Sequence, residues 1–433
     1  MKTWQMPFFA MSAEKSFNFN TETPIHFQIE HQCPQCGAPA IMDETDRLFA
    51  CEFCRVKSYL VAEDVFRYTL PGNAPETKNL IYFPYWRFKG MCFTCDGHGI
   101  QHKFVDVSRQ ALASPLFPVS LGLRSQALKL KFITPETSGR FLQPTLSFAQ
   151  AAENLEDRLG KTSASPALHH AHIGETISLI YAPFYIENGI YDAVLNRPTA
   201  TAWTEDFEID QLPAENPNWR MHFISTLCPG CGWDLEGERN SLVLLCKNCV
   251  SAWYPMGKKL KKIKFGKHQA SGDDAAIYLP FWRIRPEISG INLSNYVDLI
   301  KMANIPKVIQ PGWEDIGFRF WVPAFKVRPK IFLQLSKNMT LAQLHHELEE
   351  QLPEFRHHPI TLSMTEAIES LKINIAGFFK PKNMLAEIFH EIGIKIKSVV
   401  LVYVPFLEKH HEFIQPDMQF AINKNILALS ENL

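Results

Sequence analysis

Short apolar runs separated by prolines and polar turns dominate the hydrophobic pattern of this chain. Residues 17–32 alternate loosely between apolar and polar side chains, and a similar segment occurs at 221–224. Such alternation predicts half-buried strands. The chain contains 32 Phe and 29 Pro residues, and aromatic residues interrupted by proline favour many short strands. The pattern therefore predicts mainly antiparallel sheet.

Helical periodicity occurs in five segments, of which four lie in the second half of the chain. Apolar residues there recur every three to four positions, which predicts amphipathic helices. Strands and helices together indicate the α+β class. The predicted helices are Ser147–Leu159, Leu293–Met302, Leu341–Leu352, Thr365–Leu371 and Asn383–Ile392, and further strands are predicted at 117–120, 320–325, 420–423 and 426–429.

Four cysteines and an aromatic segment each occur twice along the chain. The cysteine copies are separated by a constant 195 residues, as from 33 to 228, and the aromatic segment repeats after 196 residues, from 82 to 278. A constant shift indicates an internal duplication. The first quartet consists of Cys33, Cys36, Cys51 and Cys54, and the second of Cys228, Cys231, Cys246 and Cys249.

Each quartet has the spacing of a structural zinc ribbon. Two C-x2-C pairs are separated by 14 residues, so they can form two knuckles around one tetrahedral ion. Four protein thiolates fill the coordination sphere of Zn²⁺ and leave no position for water or substrate. The sequence therefore predicts two bound Zn²⁺ ions with a structural rather than a catalytic role.

The duplication predicts two repeats joined by a linker. Residues 205–218 combine acidic side chains with two prolines, which is typical of a linker. In each half we expect a four-cysteine zinc ribbon followed by a mainly antiparallel sheet with helices. Limited proteolysis between 205 and 220 should release two folded pieces, whereas a sheet shared by the halves would resist cleavage. The first repeat is predicted at 1–210, with its ribbon at 31–58 and an α/β unit at 78–200, and the second at 211–433, with its ribbon at 226–254 and an α/β unit at 274–433.

A Tyr-x-Pro-aromatic motif begins and ends each repeat. The motifs start at Tyr82 and Tyr181 in the first half and at Tyr278 and Tyr403 in the second. Because proline lacks a backbone N–H group, we expect the strands that contain it to be edge strands or to be bulged. The first motif of each half continues into Trp and Arg, and arginine pairs with carboxylates or stacks on aromatic rings. We interpret these segments as core strands rather than as binding sites.

A fifth cysteine pair allows three interpretations. Cys92, Cys95, His98 and His102 supply enough ligands for a third tetrahedral site, although the loop between the pairs is shorter than in finger or ribbon motifs. A strand continuous with the aromatic segment would instead place the cysteines on opposite faces, because they are three residues apart. A redox-active pair is the third interpretation, although no helix N-terminus is evident that would lower a thiol pKa. We favour the strand, which predicts neither a third metal nor a disulfide.

The strongest basic cluster follows the second ribbon. Zinc ribbons are common in nucleic-acid machinery and lysines neutralise phosphates, so the cluster is a candidate polyanion site. We favour a solvated edge strand, because the first ribbon has no equivalent charge and lysines protect an edge strand from aggregation. The cluster consists of Lys258, Lys259, Lys261, Lys262, Lys264 and Lys267.

The remaining sequence supports no familiar enzyme class. Histidine doublets occur at 169–170, 345–346, 357–358 and 410–411. None forms H-E-x-x-H, and we predict that most lie on the surface. The sequence also contains no motif for nucleotide hydrolysis, dinucleotide binding or serine hydrolysis.

Composition predicts a soluble protein of the cytoplasm. Lys and Arg number 44 against 45 Asp and Glu, so no overall field favours nucleic acid or an anionic membrane. The ten cysteines form five C-x2-C pairs in a long chain, which favours metal binding in a reducing compartment. We interpret residues 1–16 as a tail that docks on a domain. No run approaches the roughly 18 apolar residues of a membrane helix, so we expect no direct membrane anchor.

The knuckles Cys33-Pro-Gln-Cys-Gly37 and Cys228-Pro-Gly-Cys-Gly232, each followed by Tyr-x-Pro-aromatic-Trp, resemble bacterial TFIIB-type zinc-ribbon proteins. Those proteins are often labelled as relatives of primosomal replication-restart helicases. Some occur beside phage-shock-type membrane-remodelling proteins, so the resemblance implies recruitment or scaffolding at a membrane-remodelling assembly. It is limited to the ribbons and the adjacent aromatic segments. The chain has no helicase motifs and no membrane helix of the kind that recruiting members carry.

These observations predict a non-enzymatic cytoplasmic zinc-ribbon scaffold or adaptor that binds a protein partner. Both predicted metal sites are closed, and the duplicated aromatic segments would present two similar surfaces. The alternative is a nucleic-acid-binding protein that uses the ribbons and the Lys258–Lys267 run. An enzyme that uses Cys92 and Cys95 is a third hypothesis.

Overall fold

The computed structural model describes residues 27–430 with gaps at 63, 76, 123–128, 152–166, 200–208, 218, 220, 270–274, 355 and 419. The tail at 1–16, most of the predicted helix at 147–159 and part of the predicted linker lie outside the described residues. The described residues form a mixture of helix and strand that is mostly sheet, as an α+β fold requires.

In the described part of the chain, twelve strands precede residue 210. They are β1 (Gln28–Gln32), β2 (Pro39–Asp43), β3 (Leu48–Ala50), β4 (Lys57–Val61), β5 (Phe66–Thr69), β6 (Ile81–Cys95), β7 (Ile100–Gln110), β8 (Leu130–Phe132), β9 (Arg140–Leu142), β10 (His169–Ile186), β11 (Ile190–Asp192) and β12 (Arg197–Pro198). Residues 148–151 are helical, and Ile209–Gln211 form a short 3-10 helix.

Eleven described strands and six described α-helices follow. The strands are β13 (Ala214–Glu215), β14 (His222–Ser225), β15 (Leu244–Cys246), β16 (Ser251–Met256), β17 (Lys259–Ile263), β18 (Phe265–Lys267), β19 (Ala275–Ser289), β20 (Phe320–Pro323), β21 (Gly393–Lys409), β22 (Glu412–Gln415) and β23 (Phe420–Asn423). The helices are α1 (Tyr296–Met302), α2 (Pro329–Ala342), α3 (Met364–Glu369), α4 (Leu371–Phe378), α5 (Lys382–Ile388) and α6 (Lys424–Ser430), with 3-10 turns at Phe389–Glu391 and Pro416–Met418.

The larger sheet is built around one long antiparallel pair, β6 and β10. On the other side of β6, β9 pairs with one end of the strand and β7 pairs with the residues from Tyr85 to Cys95. The order β13-β9-β6-β10-β5-β8-β1-β2 continues from this pair to the first ribbon, and β11 and β12 extend from β10. Because β1 and β2 belong to this sheet, the first ribbon is hydrogen-bonded to the rest of its half.

The smaller sheet has a similar centre, formed by the antiparallel pair β19 and β21. Strand β20 flanks β19, β18 runs parallel to β21, and the order is β20-β19-β21-β22-β23. The second ribbon forms a separate sheet of β15, β16 and β17. Parallel pairing among the described strands is limited to β1–β8, β5–β10, β6–β9 and β18–β21, so the predicted antiparallel character is confirmed.

The Tyr-x-Pro motifs that begin and end each half are cross-strand partners. In both central pairs the tyrosine of one motif lies opposite the proline of the other. The two halves therefore use the same register at this point. The pairs are Tyr82 with Pro183, Pro84 with Tyr181, Tyr278 with Pro405, and Pro280 with Tyr403.

A second set of matching contacts follows each central strand. The indole N–H of the motif tryptophan donates to a leucine carbonyl. The serine that follows this leucine forms a capping box with the residue three positions later, in which each side chain accepts a hydrogen bond from the backbone N–H of the other residue. In the second half this box begins α3, and in the first half it begins the helix at 148–151. The first-half contacts join Trp86 to Leu146 at 2.7 Å and Ser147 to Gln150, and the second-half contacts join Trp282 to Leu362 at 2.9 Å and Ser363 to Glu366.

The motif prolines lie in central strands and at no register shift, so both predicted settings, an edge strand or a bulge, are wrong. Pro84 and Pro280 are inside β6 and β19, which have neighbours on both sides. Their carbonyls accept hydrogen bonds from the N–H groups of Ala111 and Ala324, each at 3.0 Å. The ring nitrogen points to the same side as the carbonyl, and on that side one partner strand has ended before the next begins. The missing N–H group therefore faces a gap in the ladder.

Three of the predicted helices are confirmed and one is wrong. Helices α1, α3 and α5 coincide with predicted segments, whereas only the first two residues of the helix predicted at 341–352 are helical, as the end of α2. Pro329 starts α2, and Phe332, Leu335 and Met339 form its buried face. The helix ends because Gln343 adopts a left-handed conformation with φ of 46°.

Two predicted strands are also wrong. The segment 426–429 belongs to α6, because the side-chain oxygen of Asn423 accepts from the N–H group of Asn425 at 2.9 Å and favours a helix start. The segment 117–120 is irregular, because the side-chain amide of Gln110 donates to the carbonyls of Ser114 and Phe117 and holds a bend.

Contacts across the predicted repeat boundary join the two halves. Strand β14, which leads into the second ribbon, pairs with β4 of the first ribbon, and β13 pairs with β9. At the far end of the β6–β10 pair, the rings of Phe93 and Phe332 are 5.8 Å apart. The ammonium group of Lys326 donates to the Thr176 hydroxyl at 3.3 Å. Side chains of both halves thus share one core.

Candidate metal centres

Both predicted cysteine quartets come together in the structure. The four sulfurs of each quartet lie within 4.8 Å of one another. A tetrahedral ion with metal–sulfur bonds of about 2.3 Å holds its sulfurs about 3.8 Å apart, so the donor sets fit one metal ion each. The Sγ–Sγ distances include 3.8 Å for Cys33–Cys54, 3.7 Å for Cys36–Cys51, 3.6 Å for Cys228–Cys249 and 3.5 Å for Cys231–Cys246.

The residue after each knuckle has a left-handed backbone. In the first knuckle of each ribbon it is a glycine, Gly37 with φ of 72° and Gly232 with φ of 76°, which suits this conformation. In the second knuckle it is Arg55 with φ of 59° or Val250 with φ of 48°. A β-branched residue in this region is strained. The fold therefore accepts backbone strain at Val250 to close the second ribbon around its sulfurs.

N–H groups favour the thiolate form of part of each quartet, whereas desolvation and the neighbouring sulfurs raise the pKa of Cys54 and Cys246. The backbone N–H of Cys54 is the main cause that lowers the pKa of Cys51 to about 6. The side-chain amide of Asn248, with the backbone N–H of Trp233, lowers the pKa of Cys231 to about 6. Because metals bind thiolates rather than thiols, these donors favour metal binding at neutral pH.

A buried ion pair fastens the first ribbon to the larger sheet. The guanidinium of Arg87 lies 2.7 Å from a carboxylate oxygen of Glu44 and 3.1 Å from one of Asp106. Its Cζ lies 4.0 Å from the centre of the Phe27 ring. The side chains of Arg87 and Glu44 are each 1% exposed. Arg87 thus both pairs with a carboxylate and stacks on an aromatic ring, the two contacts expected of this arginine. From the sequence, Glu44 could be recognised only as a polar residue of the ribbon turn, not as the partner of Arg87.

The two ribbons also contact each other. The Tyr59 hydroxyl donates to the Ser241 carbonyl at 3.1 Å, and Arg239 lies 2.5 Å from the carboxylate of Asp46. Desolvation by burial is the main cause that raises the pKa of Asp46. Apolar side chains of both ribbons, including Leu48, fill the space between them. The metal sites are therefore held on neighbouring, packed units.

The fifth cysteine pair lies at the end of β6, which confirms the predicted strand. Cys92 packs with Phe88 and Val105, whereas Cys95 belongs to the core shared with the second half, so their thiols lie on opposite faces. His102 is opposite Phe93 on the neighbouring strand. Among the described residues, the two quartets account for every group of three or more potential metal ligands. Burial raises the pKa of Cys95 to about 11, which disfavours a reactive thiolate.

Half of the basic cluster, Lys259, Lys261 and Lys262, lies on strand β17 at the edge of the second ribbon's sheet. Lys267 differs from the others, because its ammonium is buried and lies 3.5 Å from the carboxylates of Glu349 and Glu354. It is therefore unsuited to polyanion binding. The exposed members are Lys258, Lys259, Lys261, Lys262 and Lys264.

Most histidines of the doublets are exposed or half-buried, but His358 is buried. Burial lowers the pKa of His358 to about 4, so this ring is neutral at pH 7. In the described part of the chain, no histidine belongs to a metal-ligand group.

The duplicated aromatic segments are almost entirely buried, so the prediction that they present two similar surfaces is wrong. Phe83, Tyr85, Phe281 and Trp282 are each exposed by no more than 1%. Their alternative interpretation as core strands is confirmed.

Aromatic side chains are instead exposed on the ribbons. Phe53 lies inside the second knuckle of the first ribbon and is 70% exposed, and Trp233 follows the first knuckle of the second ribbon and is 60% exposed. A groove of about 1030 Å³ beside the first ribbon is lined by β2, β3 and Phe53. A large apolar residue within or next to a cysteine knuckle is the sequence feature that could have predicted these exposed surfaces.

Comparison with known proteins finds no matching family model, no matching curated protein and no matching solved structure. Within the described residues, no helix has both the length and the apolar character needed to span a bilayer.

Proposed function

We propose that the protein is a non-enzymatic zinc-ribbon scaffold or adaptor of the cytoplasm, built from two copies of one unit. Zinc is the proposed ion of both quartets, because a thiolate-only tetrahedral site with ribbon spacing suits Zn²⁺. With four thiolates bound, the ion stabilises its ribbon and has no open position for substrate. The common register of the two central strand pairs supports an origin by duplication.

The exposure of Phe53 and Trp233 carries the adaptor proposal. Large aromatic side chains are usually buried in part, and they are enriched at the centres of protein interfaces. Further apolar side chains are exposed on the same ribbons, which increases the area available to a partner. These are Ile41 and Val56 on the first ribbon and Leu227 and Val250 on the second.

The groove beside the first ribbon suits an extended peptide. Strand β2 lines it and is the last strand of its sheet, so one of its edges has backbone groups available for an added strand. The partner class that the sequence resemblance implies is a membrane-remodelling assembly, reached through a protein contact rather than through a membrane anchor.

The test is affinity purification of the full chain from its native host, with proteins quantified by mass spectrometry. A partner should be retained by the wild-type chain and lost from the double variant Phe53→Ser, Trp233→Ser. The matched control is Val308→Ser, which changes an exposed apolar residue outside the ribbons. The adaptor proposal fails if no protein is enriched, or if the ribbon variant and the control retain the same proteins.

Nucleic-acid binding is the second candidate function, favoured by the five exposed lysines on and around β17. Lysine contacts to phosphates release counterions, so retention on a polyanion matrix should fall steeply with salt. Replacing the five lysines by glutamine should abolish that retention. Retention that is absent in the wild-type chain at low salt would eliminate this candidate.

A further inference from the structure

Three arginines lie together at the smaller sheet with no acidic partner among the described residues. Arg283 and Arg285 belong to β19, and Arg319 immediately precedes β20. The ion pairs of the described residues include none of the three. Burial, followed by the charge of Arg319, lowers the pKa of Arg283 to about 10, and burial, followed by the charge of Arg285, lowers that of Arg319. Half-buried cations among other cations are unfavourable unless an anion joins them.

Strand register places these side chains on one face. Arg283 lies opposite Trp321 in the β19–β20 ladder. Arg285 is two residues from Arg283, and Arg319 is two residues from Trp321, so all four point to the same side of the sheet. The Arg283 guanidinium also lies 5.8 Å from the centre of the Trp321 ring.

The equivalent face of the first half carries its own acids. Arg87 and Lys89 occupy the places of Arg283 and Arg285, as the shared motif and register show. Asp106 lies opposite Lys89 in the β6–β7 ladder and pairs with Arg87 at 3.1 Å. One more step along the β19–β20 ladder places Arg319 opposite Arg285, so the second half has a cation where the first half has a carboxylate.

The second acid of the first half is also replaced. Glu44 of the first ribbon binds Arg87, and the cysteine shift of 195 residues, as from 33 to 228, places Arg239 at the equivalent position of the second ribbon. Arg239 turns to Asp46 of the first ribbon instead. The second half has therefore exchanged both carboxylates for arginines.

Exposure shows that this face is more open in the second half. The first ribbon covers Arg87, whereas Arg283 is half-buried and Arg285 is exposed. Ser398, which lies opposite Arg285, is exposed, while its first-half counterpart Thr176 is buried. A ligand can therefore reach the three arginines from solvent.

A buried histidine lies beside the same face. The His268 ring packs on Trp321 with centroids 5.8 Å apart, is 5% exposed, and has no hydrogen-bond partner for either ring nitrogen among the described residues. The charge of Arg283 is among the causes that lower its pKa, after desolvation, so the two side chains are close. Asp417 acts on the pKa of His268 in the opposite direction. The site thus combines three arginines with an unused polar ring.

We propose that Arg283, Arg285 and Arg319 bind an acidic segment of the protein partner, whose carboxylates take the places that Glu44 and Asp106 fill in the first half. The first half shows the chemistry that satisfies such a cluster, because guanidinium groups and carboxylates form paired, charge-assisted hydrogen bonds. This inference rests on the proposed adaptor function and assigns the chemical character of the partner.

The probe is a fluorescein-labelled peptide of six glutamates, with a peptide of six glutamines as its control, titrated with the full chain at low salt. The five exposed lysines are first changed to glutamine, because they form a competing basic cluster. In this background, Arg283→Gln with Arg319→Gln should weaken binding of the glutamate peptide about tenfold or more, since two charged hydrogen-bond donors are lost. Arg356→Gln, at an exposed arginine away from the face, should leave binding unchanged.

Arg319→Asp is the sharper variant. It restores the carboxylate that Asp106 supplies in the first half, so it should abolish peptide binding and also raise the unfolding temperature of the chain. A purely structural role for Arg319 would predict a lower unfolding temperature. Loss of binding caused by unfolding is thus distinguished from loss of the site itself, because this variant should be more stable and yet fail to bind the peptide.

Equal binding of the glutamate peptide by all variants would overturn the inference, and so would absence of binding. Inorganic phosphate is titrated in parallel, and arginine-dependent binding of phosphate without binding of the peptide would overturn the assignment to an acidic segment. If a partner is lost from the Phe53→Ser, Trp233→Ser chain but retained by the arginine variants, the acidic-segment inference is wrong and the adaptor function is supported. If the peptide binds but no partner is enriched, the adaptor function is wrong and the arginine site is supported.

Discussion

Replacing Arg87 by methionine should destabilise the protein strongly, because it leaves a carboxylate buried without its cation. Glu44 is 1% exposed and receives its 2.7 Å contact from Arg87. Methionine retains much of the apolar volume of the arginine stem, so the main loss is charge pairing rather than packing. In this variant the first ribbon loses the ion pair that joins it to the larger sheet.

The expected loss is about 3–5 kcal/mol, the range found when one partner of a buried ion pair is removed. Since about 1.4 kcal/mol changes an equilibrium tenfold, the folded-to-unfolded ratio should fall by roughly 10² to 10⁴. Asp106 adds to the loss, because burial already raises its pKa and the charge of Arg87 is the largest effect that opposes this. Replacing Glu44 and Arg87 together by methionine should cost less than Arg87→Met alone.

The assay is equilibrium unfolding in urea, followed by tryptophan fluorescence. Arg283→Met is the matched control inside the same molecule, because Arg283 has the same place in its sheet but only a cation among the charges that shift its pKa. Its removal should leave stability unchanged within about 1 kcal/mol or increase it. Equal losses for Arg87→Met and Arg283→Met would refute the reasoning, and so would a double variant as unstable as the sum of its singles.

Four further outcomes are expected. Elemental analysis should find two Zn²⁺ per chain, and mainly iron, fewer than about two ions, or unchanged thermal stability of Cys228→Ser would contradict the zinc assignment. Val250→Gly should stabilise the chain by roughly 1 kcal/mol in urea unfolding, because glycine relieves the strain at φ of 48°; a loss of stability would show that the valine side chain matters more. Between pH 6.5 and 4 the unfolded chain binds a proton at His268 that the folded chain does not, since desolvation lowers its folded pKa to about 4; stability should fall by roughly 1–3 kcal/mol over this range, and His268→Phe should reduce that slope. Fragments cut between 205 and 220 should elute together in gel filtration, because β14 pairs with β4, and separate elution would show independent halves.

The metal sites were predictable because cysteine spacing constrains geometry directly. Two C-x2-C pairs in a hairpin have few ways to place four sulfurs, and both quartets meet within 4.8 Å as expected. The central strands were also predictable, since the Tyr-x-Pro motifs repeat. The position of these strands in the centre of each sheet was not predictable. Proline weakens strand pairing only where its missing N–H group would have a partner, and whether it has one depends on the gap between β7 and β9, which are distant in sequence.

The helix errors have local causes that apolar periodicity does not report. The apolar pattern continues past Ala342, but a left-handed residue stops α2. The turn at Asn423 is equally compatible with a hairpin and with a helix cap. Long-range charge pairing was least visible, because nothing in the sequence links Glu44 with Arg87 or shows that Arg319 replaces an acid. That comparison requires the strand register.

The pairing of β14 with β4 sets an order of assembly as the chain leaves the ribosome. Strand β14 has its partner in the first ribbon, which emerges more than 150 residues earlier, from 61 to 222. An edge of the first ribbon must therefore be in place before β14 can pair, whereas β15, β16 and β17 form their own sheet without it. We expect a newly made chain whose first ribbon is not closed to leave β14 unpaired and exposed to cellular quality control. The lead-in strand of the second ribbon thus depends on the ribbon made before it, and the sheet around the second quartet does not.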